Sequence, residues 1–108
     1  MELNDYQQAA LGTAIYPADI NSPYLALGLA GETGEVCDKI KKEIRDCNSQ
    51  FGQASRQEIA KELGDVMWYL SCLSHELGYT LDEIANMNVE KIQSRLFRNK
   101  LHGQGDNR

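Results

Sequence analysis

The chain has 108 residues, of which 42% are hydrophobic, and a formal net charge of -5. This length predicts a single domain over residues 1–108. The negative charge argues against a nucleic acid polymer as partner, because phosphate backbones select basic surfaces. Free nucleotides stay compatible with the charge, since a metal ion can supply the missing positive charge.

The first residues, MELNDYQQ, lack the basic-then-apolar pattern of a signal peptide. No apolar run approaches the ~18 residues of a membrane span, so we expect no membrane partner. Three cysteines without regular spacing suit a reduced protein better than a disulfide framework. We therefore expect a cytoplasmic protein.

The first half of the chain predicts two helices. Residues 3–14 read as a short helix with Asn4 as its N-cap. A connecting loop follows, marked by Pro17, Asn21, Ser22 and Pro23. A longer helix is predicted over 24–47, where apolar residues recur at helical intervals: Leu25, Leu29, Val36, Ile40, Ile44 and Cys47. The segment CNSQFGQAS then breaks this pattern.

The second half predicts two more helices. Ser55 is the expected cap of a helix over 56–77, which Gly78 ends. Its apolar residues alternate steps of four and three and form a seam for packing: Ile59, Leu63, Val66, Leu70, Leu73 and Leu77. The sequence TLDE is a capping box that opens a last helix to about residue 98. The remaining tail has turn composition.

No window alternates with a period of two, so strands are not expected. The fold class predicted is all-α, a four-helix bundle with two long central helices and two shorter ones. A domain of this size has a thin core, and self-association is a natural way to bury more apolar surface.

Two pairs of acidic residues border the apolar faces of the long helices. Glu32 and Glu35 lie about 60° apart on the second helix, and Glu62 and Asp65 are similarly spaced on the third. If these helices pack antiparallel, the four carboxylates can converge at one edge of the interface. Their repulsion would favour protonation unless cations neutralise them. Magnesium, a hard ion that takes oxygen ligands, is the obvious candidate.

Three glycines at intervals of three, Gly28, Gly31 and Gly34, surround the first acidic pair. Each costs a helix about 1 kcal/mol relative to alanine. A helix tolerates glycine best where another backbone or a ligand comes close. We therefore expect a low helix surface there, with room for metal, phosphates or a neighbouring helix.

More ordinary interpretations of these residues remain open. Acidic stripes on helices are commonly solvated, and Glu35 with Lys39 has the spacing of a simple i,i+4 ion pair. The glycines can equally serve tight helix packing alone.

The motifs LAGETGEV, KIKKEIRD and EIAKELGDVMWYL, in this order, resemble those of the MazG-like nucleotide pyrophosphohydrolases, in the all-α NTP pyrophosphatase superfamily. The resemblance extends from LNDYQQAALGTAIYP to the terminal LHGQGDNR. The family pattern EExxE, a spacer and ExxD binds magnesium. It carries over to Glu32, Glu35, Glu62 and Asp65, with Gly31 in place of the first glutamate.

The resemblance implies hydrolysis of a ribo- or deoxynucleoside triphosphate between the α- and β-phosphates. The products are the nucleoside monophosphate and pyrophosphate, and the role is nucleotide pool control or clean-up. It also implies Mg²⁺ as cofactor, with Mn²⁺ as a substitute, and a homodimer or homotetramer. One glutamate would orient the attacking water as general base, and we assign this role to Glu35.

By the same resemblance, Tyr69 and Asn88 approach the nucleotide. Three cations that share one face of the last helix are expected to contact the phosphates, from the same or a neighbouring chain: Lys91, Arg95 and Arg98. Without the resemblance these cations read as a solvated face and Tyr69 as a boundary tyrosine. Trp68 faces elsewhere and suits a subunit contact.

Two alternative functions stay open. A non-enzymatic helical interaction module would use the leucine seam for dimerisation and keep its acids for solubility. A phosphohydrolase of another phosphate ester would release orthophosphate and not pyrophosphate. No motif determines a base or sugar preference.

Overall fold

The computed structural model describes residues 1–48 and 50–108. It contains four α-helices: α1 (Leu3–Leu11), α2 (Asn21–Cys47), α3 (Gln53–Glu76) and α4 (Leu81–Phe97). One short 3-10 helix, Ala18–Ile20, precedes α2. The described residues include no strand, which confirms the all-α prediction with two long and two shorter helices. Within the same residues, no helix combines the length and apolarity that crossing a membrane requires.

The start of α1 differs from the prediction. Glu2, not Asn4, precedes the helix, and its backbone N–H donates to the Asp5 carboxylate at 3.3 Å. The Asn4 side chain instead accepts a hydrogen bond from the backbone N–H of Asp82, 3.1 Å away in the first turn of α4. The helix also ends at Leu11, before the predicted residue 14.

The two long helices begin earlier than predicted. Asn21 to Pro23 belong to α2 and not to a loop, because proline fits the first turn, where its missing N–H has no helical acceptor. Helix α3 begins after Gly52, so Ser55 is not its cap. The Ser55 hydroxyl donates to Glu43 Oε1 on α2 at 2.8 Å. Ser49, in the predicted break, lies outside the described residues.

The connection from α3 to α4 agrees closely with the prediction. Gly78 adopts a left-handed conformation (φ 87°) just after α3 ends. Thr80 and Glu83 form the expected capping box: the Glu83 N–H donates to Thr80 Oγ1 and the Thr80 N–H donates to Glu83 Oε1, each at 3.1 Å.

Helices α2 and α3 pack side by side in antiparallel directions. The beginning of α3 contacts the end of α2 through Ser55 and Glu43. Near the other end of the pair, the ring of Tyr69 packs against Gly28. This is the arrangement in which the two acidic pairs can meet.

One buried glutamine of α1 joins this helix to α3 and α4. Gln7 on α1 is 2% exposed. Its Nε2 donates to the carbonyl oxygens of Ser71 and Tyr79, and its Oε1 accepts from the Leu81 N–H, all at 3.1 Å. Because all these polar atoms are paired, burying the amide is inexpensive. The contacts fix α1 against the junction of α3 and α4.

The hydrophobic core of one chain is small. Its buried cluster consists of Ala10, Leu25 and Cys72, with partly buried aromatic residues around it. On the α3 seam, Leu63 is 50% exposed and Leu77 60% exposed. The radius of gyration is 16.7 Å, against about 13 Å for a compact chain of this length. A single chain therefore leaves much of its apolar surface uncovered.

Candidate metal centre

Three carboxylates meet across the α2–α3 interface. Glu32 comes from α2, and Glu62 and Asp65 come from α3; one oxygen of each lies within 4.8 Å of the other two. The three-residue step places both α3 acids on one face of that helix. The antiparallel packing then brings Glu32 opposite them. We call these three residues the acidic trio.

The trio fits a hard divalent cation. Ligands of an octahedral Mg²⁺ lie about 2.1 Å from the ion, so neighbouring ligand atoms are about 3 Å apart. The three oxygens lie within 4.8 Å of one another, and side-chain rotations would bring them to this spacing. An all-oxygen ligand set also matches Mg²⁺ or Mn²⁺ better than a softer metal.

The electrostatics of the trio favour a bound cation. Burial and the negative charges of Asp65, Glu62 and Glu35 raise the pKa of Glu32 above its ordinary value. A raised carboxyl pKa means that the charged form is disfavoured. A cation between the carboxylates would reverse this effect.

Glu35 lies outside the trio. Its side chain is exposed, and no oxygen of Glu35 joins the 4.8 Å cluster. It lies one helical turn after Glu32 on α2, so it borders the site. Its charge adds to burial and to the charges of Asp65 and Glu62 in raising the pKa of Glu32. The ion pair suggested between Glu35 and Lys39 is replaced by another: Lys39 Nζ lies 3.4 Å from Glu62 Oε1 on the opposite helix.

Aromatic side chains form a wall beside the carboxylates. Glu32, Asp65, Trp68 and Tyr69 line an open crevice of about 360 Å³. The rings of Trp68 and Tyr69 are 5.0 Å apart in an edge-to-face arrangement. The Trp68 indole N–H donates to Thr13 Oγ1 at 2.8 Å. Trp68 therefore belongs to this crevice and not to a separate face, and its position three residues after Asp65 was the signal that the sequence offered.

One of the three glycines has a clear packing role. A Cβ atom on Gly28 would overlap the ring of Tyr69, so this position requires glycine for the two helices to approach. Gly31 and Gly34 have no atom of the described chain within 4 Å of the place where a Cβ would be. Of the neighbours expected beside the glycines, the one found at Gly28 is thus a side chain of the neighbouring helix α3.

The residues predicted to bind the nucleotide from α4 lie away from the trio. Among the described residues, α4 packs against α1 and α3 and makes no contact with α2. Asn88 lines a cavity of about 270 Å³ that also includes Met67 and Ser71 of α3. These two residues lie nearly opposite Glu62 and Asp65 around α3, at about 100° per residue. Within one chain, Tyr69 is near the acids and Asn88 is not.

The three predicted phosphate-binding cations contact the C-terminal tail, residues 99–108. Lys91 Nζ lies 3.3 Å from Asp106 Oδ1. Arg95, only 6% exposed, donates to the backbone carbonyl oxygen of Asp106 at 2.7 Å. Arg98 donates to the carbonyl oxygen of Arg108 at 2.6 Å. The hydrogen bond from Lys91 is the main cause that lowers the pKa of Asp106.

Comparison with known proteins identifies the class that this fold and site represent. The family model of the MazG nucleotide pyrophosphohydrolase domain matches residues 21–97, which include all of α2, α3 and α4. The chain therefore belongs to the MazG nucleotide pyrophosphohydrolase family. It is also 42% identical to the Gene 37 protein of Mycobacterium phage L5, in an alignment that covers the whole of both chains. No solved structure matches it.

Proposed function

We propose that the protein hydrolyses a ribo- or deoxynucleoside triphosphate at the α–β phosphate bond, giving the nucleoside monophosphate and pyrophosphate. The observation that carries this proposal is the convergence of Glu32, Glu62 and Asp65 within 4.8 Å. Membership of the MazG family supports a nucleotide substrate. The role we propose is control or clean-up of a nucleotide pool.

The acidic trio would hold the cofactor, Mg²⁺ or Mn²⁺. When bound, the ion would polarise the phosphate and lower the pKa of a coordinated water. Glu35 is the proposed general base. It borders the trio without joining it, so its carboxylate stays available to accept a proton from the attacking water. A second role of Glu35 as a metal ligand requires its side chain to turn towards Glu32.

The crevice beside the trio suits the remainder of the nucleotide. Tyr69 and Trp68 offer aromatic surface next to the carboxylates, on which a base or sugar can pack. The triphosphate also needs cations. We propose that Lys91, Arg95 and Arg98 of a neighbouring chain provide them, with Asn88 close by, because α4 and α2 are separated within one chain.

A homodimer or homotetramer agrees with this arrangement. The half-exposed leucines of α3 and the large radius of gyration indicate that a second chain would cover apolar surface. Sedimentation analysis tests this part by itself. A wild-type dimer or tetramer that Leu63→Glu dissociates supports the proposal, and a monomeric wild-type protein contradicts it.

The activity is tested with a panel of ribo- and deoxynucleoside triphosphates, each with Mg²⁺, with Mn²⁺ or with EDTA. We expect metal-dependent release of monophosphate and pyrophosphate in equal amounts. Release of orthophosphate would instead identify another phosphohydrolase. No metal-dependent turnover of any nucleotide would contradict the enzyme and favour the helical interaction module, which the exposed seam also suits.

A further inference from the structure

The acidic trio already has one cation in contact with it. Lys39 lies on α2, and its Nζ reaches across to Glu62 Oε1 on α3 at 3.4 Å. The side chain is 33% exposed, so the pair is partly shielded from solvent. Neighbouring lysines are occupied elsewhere: Lys42 pairs with Asp38 at 2.7 Å and Lys61 with Glu58 at 2.9 Å. Among the ion pairs of the described residues, Lys39 alone contacts the trio.

Lys39 and a divalent ion would both bind the carboxylate of Glu62. An ion held by the trio needs an oxygen of Glu62 at about 2.1 Å. An ammonium group against that carboxylate would be repelled by the ion and would draw electron density from its ligand. The two cations therefore compete.

Space is available for Lys39 when it leaves Glu62. Its side chain lines a cavity of about 310 Å³ between α2 and the first turns of α3. Glu58 lines the same cavity; the hydrogen bond from Lys61 is the main cause that lowers the pKa of this carboxyl, and the charge of Lys39 contributes. A displaced ammonium thus has a carboxylate partner within reach.

We propose that Lys39 is the internal counter-ion of the metal-free centre: it neutralises Glu62 until a divalent cation displaces it. This inference rests on the proposed metal centre. Lys39 is a positioning residue, which keeps the three carboxylates together before the metal arrives. The arrangement gives a preformed site at the expense of some metal affinity.

The proposal predicts effects of opposite sign for Lys39→Met. Without the ammonium, the carboxylates repel more strongly, so the protein in EDTA unfolds at a lower temperature. The competing cation is also gone, so Mn²⁺ binds about two- to fivefold more tightly, the range of a partly exposed ion pair. If Lys39 had only a structural role, Lys39→Met would reduce both the stability and the metal affinity. Lys39→Arg, which keeps the charge, is expected to restore wild-type Mn²⁺ binding.

Lys42→Met is the matched control. Lys42 lines the same cavity and pairs with Asp38, outside the trio. Mn²⁺ alone is the probe, measured by the loss of its free electron paramagnetic resonance signal, with thermal unfolding in EDTA alongside. Equal or weaker Mn²⁺ affinity in Lys39→Met, or the same gain in Lys42→Met, would overturn the proposal. Absence of Mn²⁺ binding in the wild-type protein would instead contradict the metal centre itself.

A measurement on the wild-type protein keeps the test independent of mutant folding. Acetic anhydride modifies exposed lysine amines, and mass spectrometry reports the extent at each site. Saturating Mg²⁺ should raise the modification of Lys39 and leave that of Lys42 unchanged. Unchanged modification of Lys39 would show that the metal does not displace it.

Discussion

The acidic trio between α2 and α3 and the basic end of α4 differ in how their charges are balanced. In the trio, three carboxylates share one contacting lysine. At the basic end, the cations of α4 each find an oxygen acceptor in the C-terminal tail. The carboxyl groups respond in opposite directions: the pKa of Glu32 is raised, and that of Asp106 is lowered.

This contrast separates two uses of charge in one short chain. A cluster of like charges that the chain neutralises only in part is unfavourable unless a ligand binds to it, and this is the reason to propose a ligand site there. Charges that are paired within the chain stabilise local structure and need no ligand. For the basic end to contact a triphosphate, the phosphates must replace the tail.

The strongest test removes the charge imbalance from the trio. Glu62→Gln combined with Asp65→Asn is expected to reduce turnover by roughly 10²–10³-fold, because metal catalysis supplies several kcal/mol. Folding should survive, since repulsion is relieved. The measurement is the rate of pyrophosphate release with Mg²⁺. Asp38→Asn, a carboxylate of α2 that is paired with Lys41 and Lys42 and lies outside the trio, is the control and should retain activity. Equal loss in both variants would count against the trio as the catalytic centre.

A second test disturbs the packing that supports the trio. Gly28→Ala would force the Tyr69 ring away from α2 and should destabilise the protein by about 1–3 kcal/mol, as overpacking does. Gly34→Ala has free space and should stabilise the helix by up to about 1 kcal/mol. Urea unfolding of both variants measures the difference. Similar stabilities would mean that Tyr69 has another place to pack.

A third test addresses the basic end. Arg95→Met keeps much of the buried volume but loses the hydrogen bonds to Gly105 and Asp106. We expect a loss of about 1–2 kcal/mol and faster amide exchange in the tail, measured by mass spectrometry. Arg98→Met, an exposed neighbour, should change the tail less. An undisturbed tail in Arg95→Met would show that the guanidinium does not hold it.

The smallest expected effect is in the carboxyl titrations of the metal-free protein. The folded state binds the Glu32 proton more tightly than the unfolded state, so stability falls as pH rises from the ordinary carboxyl pKa, about 4.3, through the raised one. Asp106 acts oppositely: its contribution is present above the ordinary Asp pKa and is lost as pH falls through the lowered one. Carboxyl carbon NMR should show both shifts, and saturating Mg²⁺ should abolish only that of Glu32. Shifts of the same sign would remove the contrast between the two regions.

Local sequence signals predicted the helices better than their ends. The Thr80–Glu83 box and Gly78 were correctly predicted because each acts through bonds a few residues away. Asn4 and Ser55 were assigned as caps of their own helices, but their side chains bind α4 and α2. The same polar group suits a local or a distant partner, and the choice depends on which backbone or side chain the fold brings near.

The acidic trio shows the same difference between local signals and contacts with distant residues. The spacing of Glu62 and Asp65 determines that they share a face of α3, because helical geometry is local. Lys39 lies seven residues after Glu32 and shares its face of α2. Nothing in that spacing indicates that Lys39 forms its ion pair with Glu62 on the other helix.

The sequence by itself determined four helices, the acidic pairs on the two long ones and the basic face of the last. These properties follow from helical periodicity and residue chemistry, which act over a few residues. Only the tertiary structure decided that Glu32, Glu62 and Asp65 meet, that Tyr69 covers Gly28 and that the C-terminal tail occupies the cations of α4. Such contacts join residues far apart in the chain, and they depend on how whole helices pack, which no short segment specifies.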